Sequence, residues 1–445
     1  MMKIETTTYT SKIYSKNDIR LNIGLSIKKD TQEIKSSVEI QLYPIAYFHG
    51  QIPEEAFSLM LLSAIIYSID RSVNRHQYSI DGWTREFDVE IKLPAFAKFQ
   101  QCKNDIDRML SFLTGDYWNC NFIDNAVVEY PKFKPYAYYD DVTQVNLFSG
   151  GLDSLIGAID YIVNNPNSKL YLSSHYDSYM TGPKTDQSRV RKELLKVYGK
   201  SIVYSEGVCI TPGISEETSC RSRSFVFIAL ANIVATYAKC NVVIPENGSV
   251  SLNFPLSHSR RAACSTRTTH PIFLSQFQTL LVKLGLTSIV SNPYEFKTKG
   301  EMVMDCANRD MLIKILPLSN SCGKRNMHQH MYDDSHATHC AHCMPCMYRK
   351  AATIRIKDST SYGNKLQTIF LKKSNAVSDD FYAMLDFLKK DLTRNEIKRE
   401  LHIGGMAGFR DLDSYIDLVI RTRVELSTML RNECSTVINQ YMGWK

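Results

Sequence analysis

Between residues 142 and 245, four short apolar runs alternate with three longer segments that have the periodicity of helices. The runs are 145–148, 169–172, 201–204 and 242–245, and the helical segments are 155–163, 188–197 and 225–237. A strand buried on both faces reads as a continuous apolar run, and strands that alternate with helices form parallel sheets. This part of the chain is therefore predicted to be α/β, with a doubly wound parallel sheet.

A string of small and polar residues follows the first apolar run, where a strand should end and a helix should begin. It reads Ser149-Gly150-Gly151-Leu152-Asp153-Ser154. Two glycines let the backbone approach an anion, and the first turn of a helix favours negative charge. Ser149 and Ser154 add hydroxyl donors, and Asp153 can cap the helix or help to hold Mg²⁺. The string predicts a phosphate-binding loop, although it lacks the Gly-Lys-Ser/Thr ending of a Walker loop. The alternative is a plain glycine turn with Asp153 as its N-cap.

Cysteines are concentrated near residue 340. Cys340, Cys343 and Cys346 are each separated by two residues, and Cys322 lies upstream. A Cys-x₂-Cys pair presents two thiolates at the spacing that a tetrahedral zinc needs, and four thiolates would close the site. A structural zinc is therefore predicted, with Cys322 or a nearby histidine as the fourth ligand. The candidate histidines are His328, His330, His336, His339 and His342. A group of buried cysteines without metal and a redox or sulfur-transfer role are the alternatives.

The composition is that of an ordinary globular protein, with 44% hydrophobic and 22% charged residues among 445. A net charge of +7 suits nucleotide phosphates, and leaves nucleic acid possible but not favoured. The first residues contain no apolar signal segment, and the longest apolar stretch, 225–238, is too short to span a membrane. We therefore expect a cytoplasmic protein with reduced cysteines and no membrane partner.

The flanking regions differ from the central one. Residues 1–141 are predicted to form an α+β accessory domain, with strands at 37–42 and 87–92, helices at 54–69 and 96–113, and a linker at 127–139. This domain has no motif that carries chemistry, so we expect it to dock a partner or gate the substrate. Residues 142–357 should form the nucleotide-binding domain with the cysteines. Residues 358–445 should be helical, with helices at 379–388, 393–401 and 412–430.

The 149–154 string resembles the loop of the ATP pyrophosphatases, whose PP-loop (adenine nucleotide alpha hydrolase-like) fold splits ATP between its α and β phosphates. Within that superfamily the chain is similar to QueC, the 7-cyano-7-deazaguanine synthase family. QueC ends in a zinc knuckle made of one cysteine, a gap and Cys-x₂-Cys-x₂-Cys, followed by an arginine. Here these are Cys322, the cysteines at 340, 343 and 346, and Arg349. Weaker likenesses lie at His175-Tyr176, 187–194, 221–224 and 293–301.

The resemblance covers roughly residues 142–357. The chain departs from QueC in a longer gap after Cys322 and in the segments 246–248 and 267–271, where QueC has another pattern. It also has long N- and C-terminal additions. This layout resembles the longer QueC-like proteins of bacterial defence operons, such as the QatC component of Qat anti-phage systems.

The resemblance implies an ATP-dependent carbon–nitrogen ligase. It would adenylate a deazapurine carboxylate, such as 7-carboxy-7-deazaguanine, and pass it to ammonia or to an amine of a protein partner from the same operon. Phe148, the six residues of the string, His175, Arg221 and Arg223 would bind ATP with Mg²⁺. Ser149, Asp153, Ser154 and Lys299 would act in catalysis. Glu246, Asn247, Thr269 and His270 would contact the substrate. For the single charges and loop residues, a solvated surface position is the alternative.

Two other functions stay open. A tRNA sulfurtransferase of the same superfamily would need a reactive cysteine near the loop, for which Cys209, Cys220 and Cys264 are available. A scaffold without catalysis would bind nucleotide at the loop, and would use its zinc knuckle and its additions to hold a complex or nucleic acid.

Overall fold

The structure is a computed structural model, and it describes residues 1–15, 18–48, 50–124, 139–256, 267–325, 331–371, 379–433 and 436–444. The strands are β1 Met2–Ser15, β2 Asp18–Lys29, β3 Gln32–Gln41, β4 Glu86–Leu93, β5 Tyr117–Asp124, β6 Val142–Leu147, β7 Lys169–Ser173, β8 His175–Tyr176, β9 Ile202–Val203, β10 Val208–Pro212, β11 Asn241–Val243 and β12 Val290–Ser291. Cys264, His328, His330 and all of the predicted linker except Tyr139 lie outside the described residues.

The helices are α1 Glu54–Ser72, α2 Arg75–Tyr78, α3 Phe96–Gln101, α4 Lys103–Thr114, α5 Leu152–Asn164, α6 Pro183–Tyr198, α7 Arg223–Ala238, α8 Gly248–Leu252, α9 Pro271–Lys283, α10 Lys299–Met304, α11 Arg309–Ile315, α12 Met344–Thr353, α13 Leu366–Leu371, α14 Asp379–Lys389, α15 Arg394–Ile403, α16 Leu412–Glu433 and α17 Thr436–Met442. The single helix predicted over 96–113 is wrong in one respect, because it is interrupted at Cys102 and forms α3 and α4. Within the described ranges, no helix combines the length and the apolar character that crossing a bilayer requires.

A parallel sheet of five strands forms the centre of the α/β region, in the order β12-β11-β6-β7-β9. Its two faces are covered by different helices. Tyr171 of β7 packs into the same apolar cluster as α7, whereas its neighbours Leu170 and Leu172 pack with α5. The α/β prediction is confirmed. The strands at 201–204 and 242–245 are shorter than predicted, since only Ile202–Val203 and Asn241–Val243 pair.

A second, mixed sheet has seven strands in the order β5-β4-β1-β2-β3-β10-β8. β1, β2 and β3 are antiparallel neighbours, and β4 and β5 continue the sheet in parallel. At the other side, β10 pairs antiparallel with β3 over Val38–Ile40. This sheet therefore contains strands from both sides of residue 141, where the sequence places a domain boundary. That boundary stays a prediction.

The packing around α1 also crosses residue 141. Every residue of α1 from Ala56 to Ser72 is buried, and the helix packs against α7. Beside it lies a buried ionic network in which the Arg85 guanidinium lies 2.6 Å from Asp70 and 2.8 Å from Asp116. Asp70 also accepts hydrogen bonds from the backbone N–H and hydroxyl of Ser222, just before α7. Each buried charge is thus paired, as burial in a low dielectric requires.

The C-terminal helices are confirmed as α14, α15 and α16, close to their predicted bounds. They build an apolar cluster of their own, which also includes residues of α8 and α12. The long helix α16 lies against both of those elements. The helical region is therefore packed onto the α/β region at the segments that follow β11 and the cysteines.

A candidate phosphate-binding loop and metal centre

The loop between β6 and α5 has the backbone geometry of an anion cradle. Gly150 has a φ of +80°, and a Cβ there would lie 2.8 Å from the backbone nitrogen of Gln187. Gly151 is the N-cap of α5, and no side chain of the described residues caps this helix. The first N–H groups of the helix are thus left for another acceptor. The predicted alternative, Asp153 as the N-cap, is wrong because Gly151 has that position.

The loop lies where the helices connected to two neighbouring parallel strands lie on opposite faces of the sheet. β6 is followed by α5 on one face of the sheet, and its neighbour β11 is preceded by α7 on the other. Crevices at such switch points, outside the carboxyl ends of the strands, are where ligands bind in open α/β sheets. Ser149 is exposed there, whereas Phe148 is fully buried and its N–H donates to Ser173 O at 2.7 Å. The Ser149 and Ser154 hydroxyl oxygens lie 3.3 Å apart.

A buried charged cluster lies directly below the loop. Asp153 is 6% exposed, and its Oδ1 lies 2.6 Å from the Nζ of Lys299, which is 5% exposed. Its Oδ2 accepts hydrogen bonds from Asn247 Nδ2 at 2.6 Å and from Asn247 N at 3.2 Å. Burial alone would raise the pKa of Asp153, but the charge of Lys299 and the hydrogen bonds lower it. Four residues predicted from sequence, including Glu246, therefore meet at one point.

Glu246 differs from Asp153 in its protonation. As a residue it is half-buried, but its carboxyl group is turned inward and shares a hydrogen bond with Asp153. Burial of that group and the adjacent negative charge raise the pKa of Glu246 well above its ordinary value. Two neighbouring carboxyl groups of this kind hold one proton between them, so Glu246 is the neutral partner and Asp153 the ionised one.

Lys299 is positioned by its own helix and by the C-terminal region. Thr298 caps α10 in a capping box with Glu301, which fixes the first turn that carries Lys299. Glu425 of α16 accepts a hydrogen bond from Thr298 Oγ1 and another, of 3.2 Å, from Gly300 N. The helical region therefore holds the segment on both sides of Lys299. Sequence reasoning missed Glu425, because nothing local marks a contact between residues 127 apart in the chain.

The side chains of three predicted ATP-binding residues contact other parts of the protein. His175 is fully buried, and its ring packs edge-on against Tyr67 and Phe227 with centroids 5.5 and 5.4 Å apart. Burial, with the nearby charge of Arg223, lowers the pKa of His175 well below its ordinary value, so the ring is a neutral core group. The Arg221 guanidinium lies over the ring of Trp83 and donates to Thr114 O.

Arg223 lies over the ring of Phe227, beside His175. In the structure the side chains of His175, Arg221 and Arg223 therefore serve the junction between α7 and the mixed sheet, and their part in ATP binding stays a prediction. The sequence signal was ambiguous, since a cation at a helix start suits a phosphate and a packing contact equally well.

Thr269 and His270 both have contacts within the protein. Thr269 O accepts the Ser251 hydroxyl at 2.6 Å. His270 is the N-cap of α9, where its Nδ1 accepts from Ile272 N at 3.2 Å and its ring lies against Phe112. Burial, reinforced by Arg267, lowers the pKa of His270 to about 3, which keeps Nδ1 an acceptor at neutral pH. His270 is thus a helix cap in the structure, and its contact with a substrate stays a prediction.

Replacing His270 by alanine should lower the free energy of unfolding by about 1 kcal/mol, because the cap of α9 is lost. His270→Asn should retain most of that stability, since asparagine is a good N-cap. Urea unfolding at pH 7 measures both, and nucleotide binding should be unchanged in both variants. A loss of ligand affinity in His270→Asn with normal stability would contradict this structural role.

The four cysteines converge as predicted. The sulfurs of Cys322, Cys340, Cys343 and Cys346 all lie within 4.8 Å of one another, with Cys322–Cys343 at 4.0 Å and Cys340–Cys346 at 3.9 Å. A tetrahedral site with zinc–sulfur bonds near 2.3 Å places its sulfurs roughly 3.8 Å apart. The cluster could therefore hold a metal ion such as zinc, and four thiolates would leave no open position on it.

The histidines near the cysteines have other partners. His339 Nε2 accepts from Ser321 N at 3.3 Å, and His342 Nδ1 lies 3.0 Å from Cys340 O. His336 is exposed. Within the described residues, Cys322 is thus the fourth member of the cluster, despite the long gap that separates it from Cys340.

The metal centre is joined to the loop by the segment 319–322. Asn320 N donates to Gly150 O at 3.1 Å, and the Asn320 side chain accepts from Cys322 N at 2.8 Å. The fully buried Arg349 holds the start of this segment by donating to Ser319 O and Leu316 O. Sequence reasoning missed Asn320, whose only signal is its position two residues before Cys322.

No protein-family model matches the chain, and no curated protein or solved structure is similar to it. The QueC-like resemblance therefore stays a prediction. The interpretation of the site depends on its own geometry: a glycine cradle, an uncapped helix start and a buried lysine–aspartate pair at the switch point of a parallel sheet.

Proposed function

We propose that the chain is an ATP-dependent ligase of the PP-loop type, which activates a carboxylate as its adenylate and passes the acyl group to an amine. The observation that carries the proposal is the uncapped N-terminus of α5, reached through Gly150 and Gly151 at the switch point. Backbone N–H groups there can bind the oxygens of a leaving pyrophosphate, and such fixed donors stabilise developing negative charge.

Each nearby side chain has a part in this proposal. The Lys299 ammonium group has three N–H donors, of which Asp153 takes one, so the others can face a phosphate. Ser149, exposed on the loop, adds a hydroxyl donor. Asn247 and Glu246 occupy the side of the crevice after β11, where a substrate ring would lie. Mg²⁺ bound with the nucleotide would neutralise phosphate charge, and zinc on the four cysteines would be structural.

The substrate class comes from the resemblance to QueC: a deazapurine carboxylate such as 7-carboxy-7-deazaguanine. The acceptor would be ammonia or an amine of a partner protein, in a cytoplasmic setting and in the context of phage defence. Neither Cys209 nor Cys220 supports the sulfurtransferase alternative, because burial raises the pKa of both thiols. A thiol held neutral is a poor nucleophile.

The test is carboxylate-dependent release of pyrophosphate from ATP, with mass spectrometry of the products. Wild-type protein should form AMP and pyrophosphate in equal amounts, and Ser149→Ala should reduce the rate by roughly tenfold, the effect expected for one lost charge-assisted hydrogen bond. Its thermal unfolding should not change, because Ser149 is exposed.

Thr185→Ala, an exposed hydroxyl on α6, is the matched control and should retain the full rate. Equal rates in wild type and Ser149→Ala would remove the loop from the reaction. ATP bound without any turnover in the presence of the carboxylate and ammonia would favour the scaffold alternative.

A further inference from the structure

A basic cleft lies on the side of α6 that faces the end of β9. Its volume is about 620 Å³, within the range of small-molecule sites. Three lysines and one arginine line it, namely Lys184, Arg191, Lys192 and Lys196, against one carboxylate, Glu206. A smaller cavity of about 290 Å³ adjoins it and shares Gln41, Tyr176 and Lys184. None of the four cations belongs to the loop, the charged cluster or the metal centre.

Arg191 indicates that the cleft is a built site. Its side chain is 7% exposed, its Nη2 donates to Ser174 Oγ at 2.6 Å, and its guanidinium lies over the ring of Phe148. Its Nε has no hydrogen-bond partner within the described residues. A buried cation without a carboxylate partner is costly, and Arg191 lines the cleft, so an anion bound there would offset its charge.

The lysines and tyrosines of the cleft define the chemistry of that ligand. Lys192 and Lys196 are exposed on successive turns of α6, on the same lip. Tyr204 presents a ring that is 44% exposed, and Tyr176 forms the opposite part of the lining under Lys184. Cations beside aromatic rings suit an anion that carries a planar group.

We propose that the α6 cleft binds an anionic ligand of mononucleotide size, with its planar ring against Tyr204 and its phosphate or carboxylate among Arg191, Lys192 and Lys196. No residue of the 149–154 loop lines this cleft, although Gln187 of its lining lies next to Gly150, and the proposal does not depend on the ligase reaction. Arg191 nevertheless contacts Ser174, whose hydroxyl donates to Phe148 O at 2.9 Å. A ligand bound to Arg191 is therefore connected through Ser174 to Phe148, the residue just before the loop.

Binding of AMP, adenosine and inorganic phosphate, measured by calorimetry, tests the proposal. AMP should bind at least tenfold more tightly than adenosine. The double variant Lys192→Glu/Lys196→Glu should weaken AMP binding at least tenfold, because it replaces two attractive charges by repulsive ones. Both positions are exposed, so the fold should persist. Arg189→Glu, an exposed charge reversal on α6 outside the cleft, is the control and should bind as wild type does.

Photolabelling with 8-azido-AMP then locates the ligand. Peptides containing Tyr176 or Tyr204 should carry the label, and they should still carry it in Gly151→Val, where the loop is obstructed. Label confined to loop peptides, adenosine binding equal to that of AMP, or unchanged affinity in the double charge reversal would each overturn the proposal.

Discussion

Cys343→Ser should bind no zinc, and it should lose most of the local stability of residues 316–325 and 331–346. Structural zinc in small zinc-dependent domains contributes on the order of 10 kcal/mol, and Cys343 is one of four thiols within 4.8 Å of one another. Zinc content by mass spectrometry should fall from one ion per chain to nearly none. Cys240→Ser, a thiol outside the cluster, is the control and should keep its zinc.

The loss of zinc should also destabilise the 149–154 loop. Asn320 donates to Gly150 and is held by the N–H of Cys322, so disorder around Cys322 would release the loop from one of its supports. Hydrogen exchange should therefore accelerate at 149–154 as well as at 316–325 and 331–346, while α1 stays protected. Normal exchange at the loop in zinc-free protein would show that the two sites are independent.

Asp153→Asn should lower the free energy of unfolding at pH 7 by about 3–5 kcal/mol, whereas Glu246→Gln should not lower it. Removing the Asp153 charge leaves the ammonium group of Lys299, 5% exposed, without its partner, and an unpaired buried charge carries that cost. Glu246 is the protonated member of the pair, so an amide replaces it with little change in charge. Urea unfolding at pH 7 compares the two carboxyl-to-amide changes directly.

The pH dependence of the two variants should run in opposite directions. The lowered pKa of Asp153 means that its contribution is complete above the ordinary value of about 3.9 and is lost as the pH falls through the folded value. The raised pKa of Glu246 means that its contribution is complete below about 4.3 and is lost as the pH rises.

Glu246→Gln should therefore gain stability relative to wild type as the pH rises above about 5, and the penalty of Asp153→Asn should shrink below about pH 4. Unfolding curves across that range measure both trends. A large loss of stability in Glu246→Gln at pH 7 would show that the proton is on Asp153 instead.

Local patterns were sufficient for part of this structure. Apolar runs and helical periodicity predicted β6, β7, α5 and α7 because each is specified by a short stretch of chain. The cysteine spacing predicted the cluster for the same reason. The fourth sulfur, Cys322, required the fold, because 18 residues separate it from Cys340.

Contacts between distant segments could not be predicted. The register of β10 on β3 joins residues about 170 apart, and neither short strand indicates its partner. Lys299 was a candidate cation, but its pairing with Asp153 depends on the crossing of α10 under the loop. His175 and His270 show that a histidine near a motif does not by itself indicate chemistry. In the structure His175 is a ring of the core and His270 is a helix cap.

The seven-stranded sheet has a consequence for fragments of the protein that are produced separately. A fragment that begins at Val142 would retain β10 without β3, and so would expose a row of unpaired backbone groups on a new sheet edge. It would also uncover the face of α7 that α1 covers, and would leave the hydroxyl of Ser222 without Asp70. The part of the chain from residue 142 onward is thus incomplete by itself, because β3 and α1 of the first 124 residues complete its sheet and cover α7.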